Sequence, residues 1–255
     1  MAKRIENLKV IENKRLTNDF FTLELLAESK LPELKPGQFA QIKIDGSLET
    51  FLRRPISIHD VDYERNTFKL LVQEAGKGTK TLSKLEKGCL LNLIYPLGNS
   101  FTLPAKSEHA LLIGGGCGVA PLLYLGKYIK SNGCTPDILL GFRNSERILE
   151  YDEYKKIGEV FLTTEDGSKG EKGFVTNHTV LSSRKYDRIY CCGPDSMMRA
   201  VADYCRKNKI SCEVSLENMM ACGIGACLCC VVDTISGHRC TCTDGPVFNI
   251  NELKW

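Results

Sequence analysis

The feature that most constrains the fold of this 255-residue chain is a change in its hydrophobic pattern near Pro104. Before Pro104, short apolar or β-branched runs such as FFTLELLA (20–27) and TFKLLVQ (67–73) alternate with turn residues. After it, HALLIG (109–114) is typical of a buried strand, and the next segment has apolar residues at helical spacing. The first pattern predicts a small antiparallel β-barrel. The second predicts strands alternating with helices, and therefore a parallel sheet.

We expect an α+β multidomain fold, because the length allows more than one hydrophobic core. The predicted domains are a β-barrel over 1–104, an α/β nucleotide-binding domain over 105–216 and a small cysteine-rich subdomain over 217–255. Within the second domain, DSMMRAVADYCRKNK predicts a helix that opens with Asp195 as its cap.

The composition excludes several classes of protein. A formal net charge of +3 is too small to indicate binding to nucleic acid or to an anionic membrane. The first residues lack the apolar run of a secretory signal, and no segment approaches the ~20 apolar residues of a membrane helix. We therefore expect a cytoplasmic protein without membrane insertion. Its 13 cysteines then favour metal or redox use over disulfides.

Six of those cysteines lie close together after Met220. Cys222, Cys227, Cys230 and Cys242 follow the pattern C-x4-C-x2-C-x11-C, which is the spacing of plant-type 2Fe-2S clusters. Gly223 and Gly225 permit the tight bend that such a cluster needs. The sequence therefore predicts 2Fe-2S ligands at these four positions, and with them electron transfer.

Two alternatives remain for this segment. A structural zinc site usually has two C-x2-C pairs, and only one is present. Cys229 and Cys240 are interpreted as packing residues, although Cys229 could replace a neighbouring ligand and Cys240 could replace Cys242.

A glycine-rich turn, GGGCGVAP (114–121), links a predicted strand to a predicted helix. Such a turn lets a phosphate approach backbone N–H groups at the positive end of the helix. Cys192, Gly193 and Pro194 form a second strand-to-helix turn in the same sheet. Together the turns predict a crevice for a pyridine dinucleotide, with its diphosphate near Gly115, Gly116, Gly118 and Val119 and its nicotinamide near Cys192. Glycine turns without a ligand are the alternative.

The predicted barrel contains RRPIS (53–57) and GKGT (76–79). An arginine beside a proline-stiffened strand can clamp a phosphate, and a serine two residues after the proline can hydrogen-bond the edge of a flavin. GKGT, at the start of a predicted helix, offers a second diphosphate contact. The alternative is an exposed arginine pair beside a buried serine.

These motifs occur in a specific order that ends with CGIGACLCC and DGPVF. From about residue 5 to residue 249 the chain resembles the electron-transfer subunits of the NAD-dependent, class 1B dihydroorotate dehydrogenases, within the ferredoxin reductase superfamily. The resemblance implies an FAD-binding barrel and an NAD(P)H-binding α/β domain. It places Arg54, Pro55, Ile56 and Ser57 on the flavin, with further contacts from Leu71, Val72, Gln73, Gly78 and Thr79. Gln73 departs from the arginine of many relatives.

The resemblance also implies a function and a partner. Dihydroorotate would be oxidised at FMN in a separate catalytic subunit, and electrons would pass through the 2Fe-2S cluster and FAD to NAD+, in pyrimidine biosynthesis. The expected assembly is a heterotetramer with two copies of each subunit. A related reductase subunit of a hydrogenase or of a ferredoxin transhydrogenase is the nearest alternative, and a zinc-stabilised binding module without redox activity is a second.

Two questions stay open in the sequence. Glu217 is either a residue facing the cofactors, as the resemblance suggests, or a solvated loop glutamate. No acidic ribose contact stands out after GFRNSER (141–147), and Arg143 and Arg147 would tolerate a 2′-phosphate. The choice of NAD over NADP therefore depends on the resemblance.

Overall fold

A computed structural model describes residues 3–45 and 49–255 of the chain. The N-terminal part is a closed antiparallel barrel of six strands in the order β1-β2-β5-β4-β3-β6. Its elements are β1 (Arg4–Arg15), β2 (Phe20–Leu26), β3 (Phe39–Ile42), β4 (Arg54–Asp62), β5 (Thr67–Gln73), the short helix α1 (Lys77–Leu82) and β6 (Leu90–Leu97).

The second part is a sheet with helices on its faces. Five of its pairings are parallel, as the alternation of strands and helices predicts. Its elements are β7 (Ala110–Gly115), α2 (Ala120–Ser131), β8 (Asp137–Phe142), α3 (Tyr151–Lys155), β9 (Val160–Thr164), β10 (Glu171–Lys172), α4 (Val180–Ser183), β11 (Arg188–Cys192), α5 (Asp195–Asn208) and β12 (Ser211–Ser215).

The C-terminal part contains the hairpin β13 (Val231–Thr234) and β14 (Gly237–Cys240), and then β15 (Val247–Asn249). β15 pairs antiparallel with β12. The sheet therefore has seven strands in the order β10-β9-β8-β7-β11-β12-β15. The cysteine-rich loop leaves this sheet after β12 and returns to it at β15.

The barrel and the sheet pack directly on each other. Phe20 and Leu71 of the barrel belong to the same buried apolar cluster as Leu122 and Tyr190 of the α/β part. Tyr124 of α2 in turn joins the barrel's own core, and its hydroxyl donates to the carbonyl of Leu34 at 2.7 Å. These shared cores fix the position of one part relative to the other.

The predicted fold class is confirmed: barrel, parallel α/β sheet and C-terminal cysteine loop follow one another in the chain. The exact domain boundaries stay a prediction. The predicted Asp195 cap is wrong, because Asp195 is already helical and its carboxylate pairs with Arg199 at 2.7 Å instead of capping. In the part of the chain that is described, no helix has the length and apolarity needed to span a bilayer.

Candidate functional site

The barrel wall opens where the predicted flavin residues lie. The ladder between β4 and β5 runs from Ile58–Leu70 to Asp62–Thr67. Among the described strands, residues 54–57 pair with β3 alone, and residues 71–73 pair with β2 alone. RPIS and LVQ therefore flank a slot in which β4 and β5 are not paired with each other. A gap between two strand edges suits a flat, polar-edged ring such as a flavin.

The two arginines of RRPIS have different roles. Arg53 donates to the backbone carbonyls of Gln41 and Asn92, so the barrel itself uses it. Arg54 is half-buried, and its Nη1 donates to the carbonyl of Leu52 at 3.0 Å. Among the described residues it has no ion-pair partner. Arg54 is therefore the arginine of this pair that is available to an anion.

GKGT lies beside this arginine. A Cβ built on Gly78 would lie 3.3 Å from Nε of Arg54, so a larger residue here would crowd the guanidinium. The Thr79 hydroxyl accepts hydrogen bonds from the N–H groups of Ala75 and Gly76 at 3.0 and 3.1 Å, which shapes the turn before α1. The structure thus brings together two motifs that lie about twenty residues apart in the sequence.

The remaining predicted flavin residues form the walls of the slot. Pro55, Ile56 and Ser57 are half-buried. Leu71 and Val72 are buried in the two apolar cores. Any contact that these two residues make with a ligand in the slot would therefore come from their backbone.

A cleft of about 620 Å³ separates the barrel from the carboxyl ends of the parallel strands. At its barrel end it is lined by Phe20 and Gln73, and at its far end by Glu165 and Phe174. Gly115, Gly116 and Pro194 of the two predicted turns line it in between. Ligands of open α/β sheets bind at this edge of the sheet.

The two glycine turns touch behind the cleft. A Cβ on Gly118 would lie 2.3 Å from the backbone carbonyl carbon of Cys192, and one on Gly115 would lie 2.4 Å from Sδ of Met197. By contrast, Gly116 has a φ of +54° and open space where a Cβ would be. Gly118, Val119, Cys192 and Gly193 are not among the residues that line the cleft. They hold the two turns together, while Gly116 leaves the backbone open to a ligand.

Glu217 lies in the cleft wall near the buried thiol of Cys192, whose Sγ is 3.8 Å from its Oε1. The side chain is accessible through the open cleft. The surrounding walls nevertheless exclude enough water to raise the pKa of its carboxyl, against the small opposing effect of the Cys192 hydrogen bond. Burial also raises the pKa of the Cys117 thiol nearby to about 12. Of the two interpretations of Glu217, the structure supports the residue that faces the cleft.

The far end of the cleft combines charges of both signs. Arg143 and Glu165 line it. Arg147 also lines the cleft, but it is paired with Asp19 of the barrel at 2.9 Å and therefore lies at the barrel end. Glu165 follows β9 directly, one strand beyond the segment in which the sequence showed no acidic ribose contact. The cleft therefore does contain a carboxylate at the carboxyl end of a strand.

The four predicted cluster cysteines form two pairs. The thiols of Cys222 and Cys227 lie close to each other, and the N–H of Cys242 donates to Sγ of Cys230. The N–H of Gly225 donates to Sγ of Cys242 at 3.2 Å and thereby joins the two pairs. A 2Fe-2S cluster has two irons for its four cysteines, so two adjacent pairs of thiols fit it.

Backbone N–H groups already point at these sulfurs. Ile224 and Ala226 donate to Sγ of Cys222 at 3.4 and 3.3 Å, and Cys242 donates to Sγ of Cys230 at 3.4 Å. The hydrogen bonds to Cys222, that of Ile224 foremost, lower the pKa of this thiol to about 6. Thiolate is the form that binds metal. The loop therefore favours the thiolate at Cys222, whereas burial raises the pKa of the Cys242 thiol to about 12.

Positive backbone angles make this geometry possible. Gly223 has a φ of +70° and Gly225 a φ of +84°. A Cβ on Gly223 would lie 2.5 Å from Cγ of Gln41, a fully buried residue of β3. Both polar atoms of the Gln41 amide lack a partner among the described residues. The cluster loop thus rests on the barrel strand adjacent to RPIS, where Gln41 pairs with Pro55.

Cys229 and Cys240 stand apart from these pairs. Cys229 is exposed, and its Sγ lies 3.9 Å from the carbonyl of Met219. Cys240 is half-buried, and its N–H donates to Asp244. No group of three or more His, Cys, Asp or Glu side chains converges on a single ion position within residues 3–45 and 49–255. The choice of ligands stays a prediction.

Several residues of the cleft escaped the analysis of the sequence, above all Phe20, Thr163, Glu165 and Phe174. The signal that could have found Glu165 is the position of TTEDGS at the carboxyl end of a predicted strand. Phe174 is 63% exposed although it is a large apolar residue. An exposed aromatic ring at the rim of a cleft is a common platform for a flat ligand.

Two family models match the chain. The iron-sulfur cluster binding domain of dihydroorotate dehydrogenase B matches residues 217–254. The oxidoreductase NAD-binding domain matches residues 112–203. These ranges contain the cysteine loop and both glycine turns.

Curated relatives match over nearly the whole chain. The dihydroorotate dehydrogenase B (NAD(+)) electron transfer subunit of Lysinibacillus sphaericus is 39% identical over 96% of this chain and 96% of its own length. The protein of the same name from Clostridium acetobutylicum is 40% identical over 96% of this chain and 95% of its own.

Solved structures share the fold. The structure of an NADH-dependent reduced ferredoxin-NADP oxidoreductase superposes with a TM-score of 0.89 at 29% identity, covering 98% of this chain and 90% of that one. The ferredoxin reductase of carbazole 1,9a-dioxygenase superposes with a TM-score of 0.69 at 19% identity, covering 82% of this chain and 67% of that one, and supports the fold alone.

Proposed function

This chain belongs to the family of dihydroorotate dehydrogenase B electron transfer subunits, and on that premise we propose the path that electrons take through it. They enter from the FMN-containing catalytic subunit that oxidises dihydroorotate, pass the 2Fe-2S cluster and FAD, and leave on NAD+ in pyrimidine biosynthesis. The assembly is a heterotetramer with two copies of each subunit. One observation carries the proposal: the slot, the cleft and the cysteine loop adjoin one another, the first two at Gln73 and the slot and loop at Gln41.

FAD occupies the slot between β4 and β5. Arg54 and the backbone at Gly78 hold its diphosphate, because this guanidinium has no carboxylate partner among the described residues and lies against the glycine. Ser57 and the backbone of residues 71–73 face the flavin ring from the two edges of the slot. Gln73 ends β5 at the point where slot and cleft meet. Because Gln73 is neutral, Arg54 is the residue that compensates the negative charge of the diphosphate.

NAD(H) occupies the cleft. Gly116 allows the diphosphate to approach the backbone before α2, and Pro194 and Glu217 border the nicotinamide end next to the barrel. The adenosine lies at the far end, with its base on the exposed ring of Phe174. The Glu165 carboxylate accepts hydrogen bonds from the ribose hydroxyls and repels a 2′-phosphate, which selects NAD over NADP.

FAD, when bound, exchanges a hydride with nicotinamide and single electrons with the cluster, and so joins two-electron to one-electron chemistry. The chain contributes position and environment. Partial enclosure by the cleft walls raises the pKa of the Glu217 carboxyl, which favours its uncharged form beside the nicotinamide end. The contact between Gly118 and Cys192 keeps two turns next to each other: the one that binds the diphosphate and the one that borders the nicotinamide.

The catalytic subunit docks over the cysteine loop. Met219 and Leu228 are 86% and 64% exposed there, although both are large apolar residues. Ile224, between two of the ligands, is 48% exposed. Exposed large apolar residues of this kind are typical of a protein interface. They lie in the same loop as the cysteines, as electron exchange with a partner requires.

The decisive experiment is anaerobic co-purification of the chain from its own organism, followed by iron, sulfide and flavin analysis. We expect a brown complex with a second, FMN-containing subunit, about two irons and one FAD per copy of this chain, and dihydroorotate-dependent reduction of NAD+. A nickel-containing or multi-cluster partner would favour the related hydrogenase or transhydrogenase subunits. A colourless, zinc-containing protein would overturn the electron path.

A further inference from the structure

His59 sits at an irregularity of the barrel. On β4, Ile58 pairs with Leu70 and Asp60 pairs with Lys69, so His59 is the extra residue of a β-bulge. Bulges redirect a side chain that regular pairing would point elsewhere. His59 is fully buried, and both of its ring nitrogens contact the α/β part rather than the barrel. The bulge therefore aims a barrel side chain across the interface between the two parts.

Both ring nitrogens meet acceptors. Nδ1 lies 2.7 Å from the carbonyl oxygen of Ala120, which can only accept, so Nδ1 carries the proton of this hydrogen bond. Nε2 forms a short hydrogen bond with the carboxylate of Glu150. Although burial opposes it, this contact helps to keep the pKa of Glu150 below its ordinary value. The ring is therefore held at both ends in one orientation.

The contact at Ala120 matters because of where this residue lies. Ala120 is the first residue of α2 and directly follows the turn 116–119, in which Gly116 faces the cleft. The preceding carbonyl, that of Val119, accepts a hydrogen bond from the buried hydroxyl of Tyr154 at 2.5 Å. Two consecutive carbonyls, at the end of the turn and at the start of α2, are thus bonded to side chains outside these elements, and the one at Ala120 is bonded to the barrel.

We propose that His59 is a positioning residue for hydride exchange, which sets the nucleotide-binding turn relative to the flavin slot through its N–H bond to Ala120. The inference rests on the proposed function, since β4 also carries Ser57 at the slot, two residues before His59. β4 then contacts the flavin through Ser57 and the nucleotide-binding turn through His59. Hydride transfer needs the reacting atoms within about 3–3.5 Å, and a displacement of about 1 Å can cost about 100-fold in rate.

Two substitutions test the roles of the two ring nitrogens of His59 separately. In His59→Asn, the side-chain amide can reach the place of Nδ1 and keep the bond to Ala120. In His59→Gln, the longer amide reaches the place of Nε2 and keeps the bond to Glu150 only. Tyr124→Phe is the matched control, because it also removes a buried hydrogen bond between α2 and a barrel carbonyl, that of Leu34, but one turn further from the glycine turn.

The measurements use the full complex with its cofactors. Anaerobic stopped-flow gives the rate of flavin reduction by NADH, and amide hydrogen exchange of residues 115–124 without nucleotide reports the order of the turn. We expect His59→Gln to reduce the rate about 10- to 100-fold and to speed exchange, and His59→Asn and Tyr124→Phe to stay within about threefold of the unmodified protein. FAD content should be equal in all four proteins.

Equal rates and equal exchange in the two His59 variants, or a greater loss in His59→Asn, would overturn the proposal. If either variant fails to bind FAD, amide exchange of residues 115–124 is compared in the FAD-free forms of all four proteins; equal exchange in the two His59 variants would then overturn the proposal. If NADH does not reduce the flavin of the unmodified protein, the proposed function fails instead. The exchange comparison, which needs no nucleotide, would still test His59.

Discussion

Neighbouring glycines of the nucleotide turn serve different purposes. Gly116 has a positive φ and open space beside it, whereas a side chain on Gly118 would collide with the backbone of Cys192. The first glycine leaves the backbone accessible to a ligand, and the second lets two turns of the sheet approach each other. The sequence shows the glycines but cannot separate these roles, because the second depends on a contact with a segment about seventy residues away.

The preference for NAD is predicted to depend on Glu165. Replacing Glu165 by Ser should raise kcat/KM with NADPH about 10-fold relative to NADH, because the variant loses the repulsion of the 2′-phosphate while Arg143 remains in the cleft. Steady-state reduction of an artificial acceptor with both nucleotides measures this. Glu146→Ser is the control, since Glu146 is an exposed acid of the preceding loop outside the cleft lining. An unchanged ratio in Glu165→Ser would contradict the assignment.

Gly223 is predicted to be indispensable to the cluster. Gly223→Ala would combine a φ of +70° with a Cβ 2.5 Å from Gln41, so the loop must shift and the cluster should be lost, seen as missing visible absorption and iron. Gly237→Ala is the matched control, with a φ of +104° but nothing near its Cβ. The control should cost only about 1–2 kcal/mol of backbone strain. Equal iron in both variants would argue against this packing.

At the scale of elements, the buried strands are the ones that the sequence predicts well. DILLGF matches β8, and RIYCC matches β11, because each strand is apolar or glycine after a charged first residue and is followed by a polar or glycine residue. The hairpin β13–β14 escaped prediction, since its residues are mostly exposed and show no hydrophobic period. The spacing of the cysteines was informative, whereas the pairing of β15 with β12 depends on tertiary contacts that no local pattern carries.

The cysteine loop yields a prediction about its ligands. Cys227→Ser should lose the cluster and keep FAD, because slot and loop are separate elements. Cys229→Ser and Cys240→Ser should keep both, since their sulfurs lie outside the two thiol pairs. Iron, sulfide and flavin content of the three anaerobically purified variants distinguishes them. Loss of the cluster in Cys229→Ser or Cys240→Ser would mean that the ligand set must be revised.

At the scale of the molecule, barrel, sheet and loop meet so that each binding region borders the next. Gln73 belongs to both slot and cleft, and Gln41 links the slot strand to the loop. The sequence predicted the three regions in order along the chain. Their adjacency could not be predicted, because it depends on how α2 packs on the barrel and on the β-bulge at His59.

The exposed apolar surface of the loop is predicted to bind the catalytic subunit. Met219→Glu should weaken the complex at least about 10-fold, since it buries an unpaired charge at the interface. Reduction of an artificial acceptor by NADH should persist, because the cleft is untouched. Leu90→Glu, at an exposed apolar position on β6, should leave the complex intact. Size-exclusion chromatography of the mixed subunits measures this, and an intact complex with Met219→Glu would place the interface elsewhere.

The pairing of β12 with β15 has a consequence for how the cysteine loop is built. The loop leaves the sheet at Ser215 and returns at Val247, and these two residues are partners in the ladder. Backbone hydrogen bonds between β12 and β15 thus close the base of the loop. The entropy cost of bringing the two ends of the loop together is therefore met by this pairing and not by binding of the cluster. Binding of iron and sulfide then needs to order only the residues between Ser215 and Val247. The β12–β15 pairing therefore allows the polypeptide to fold first and to bind the cluster afterwards.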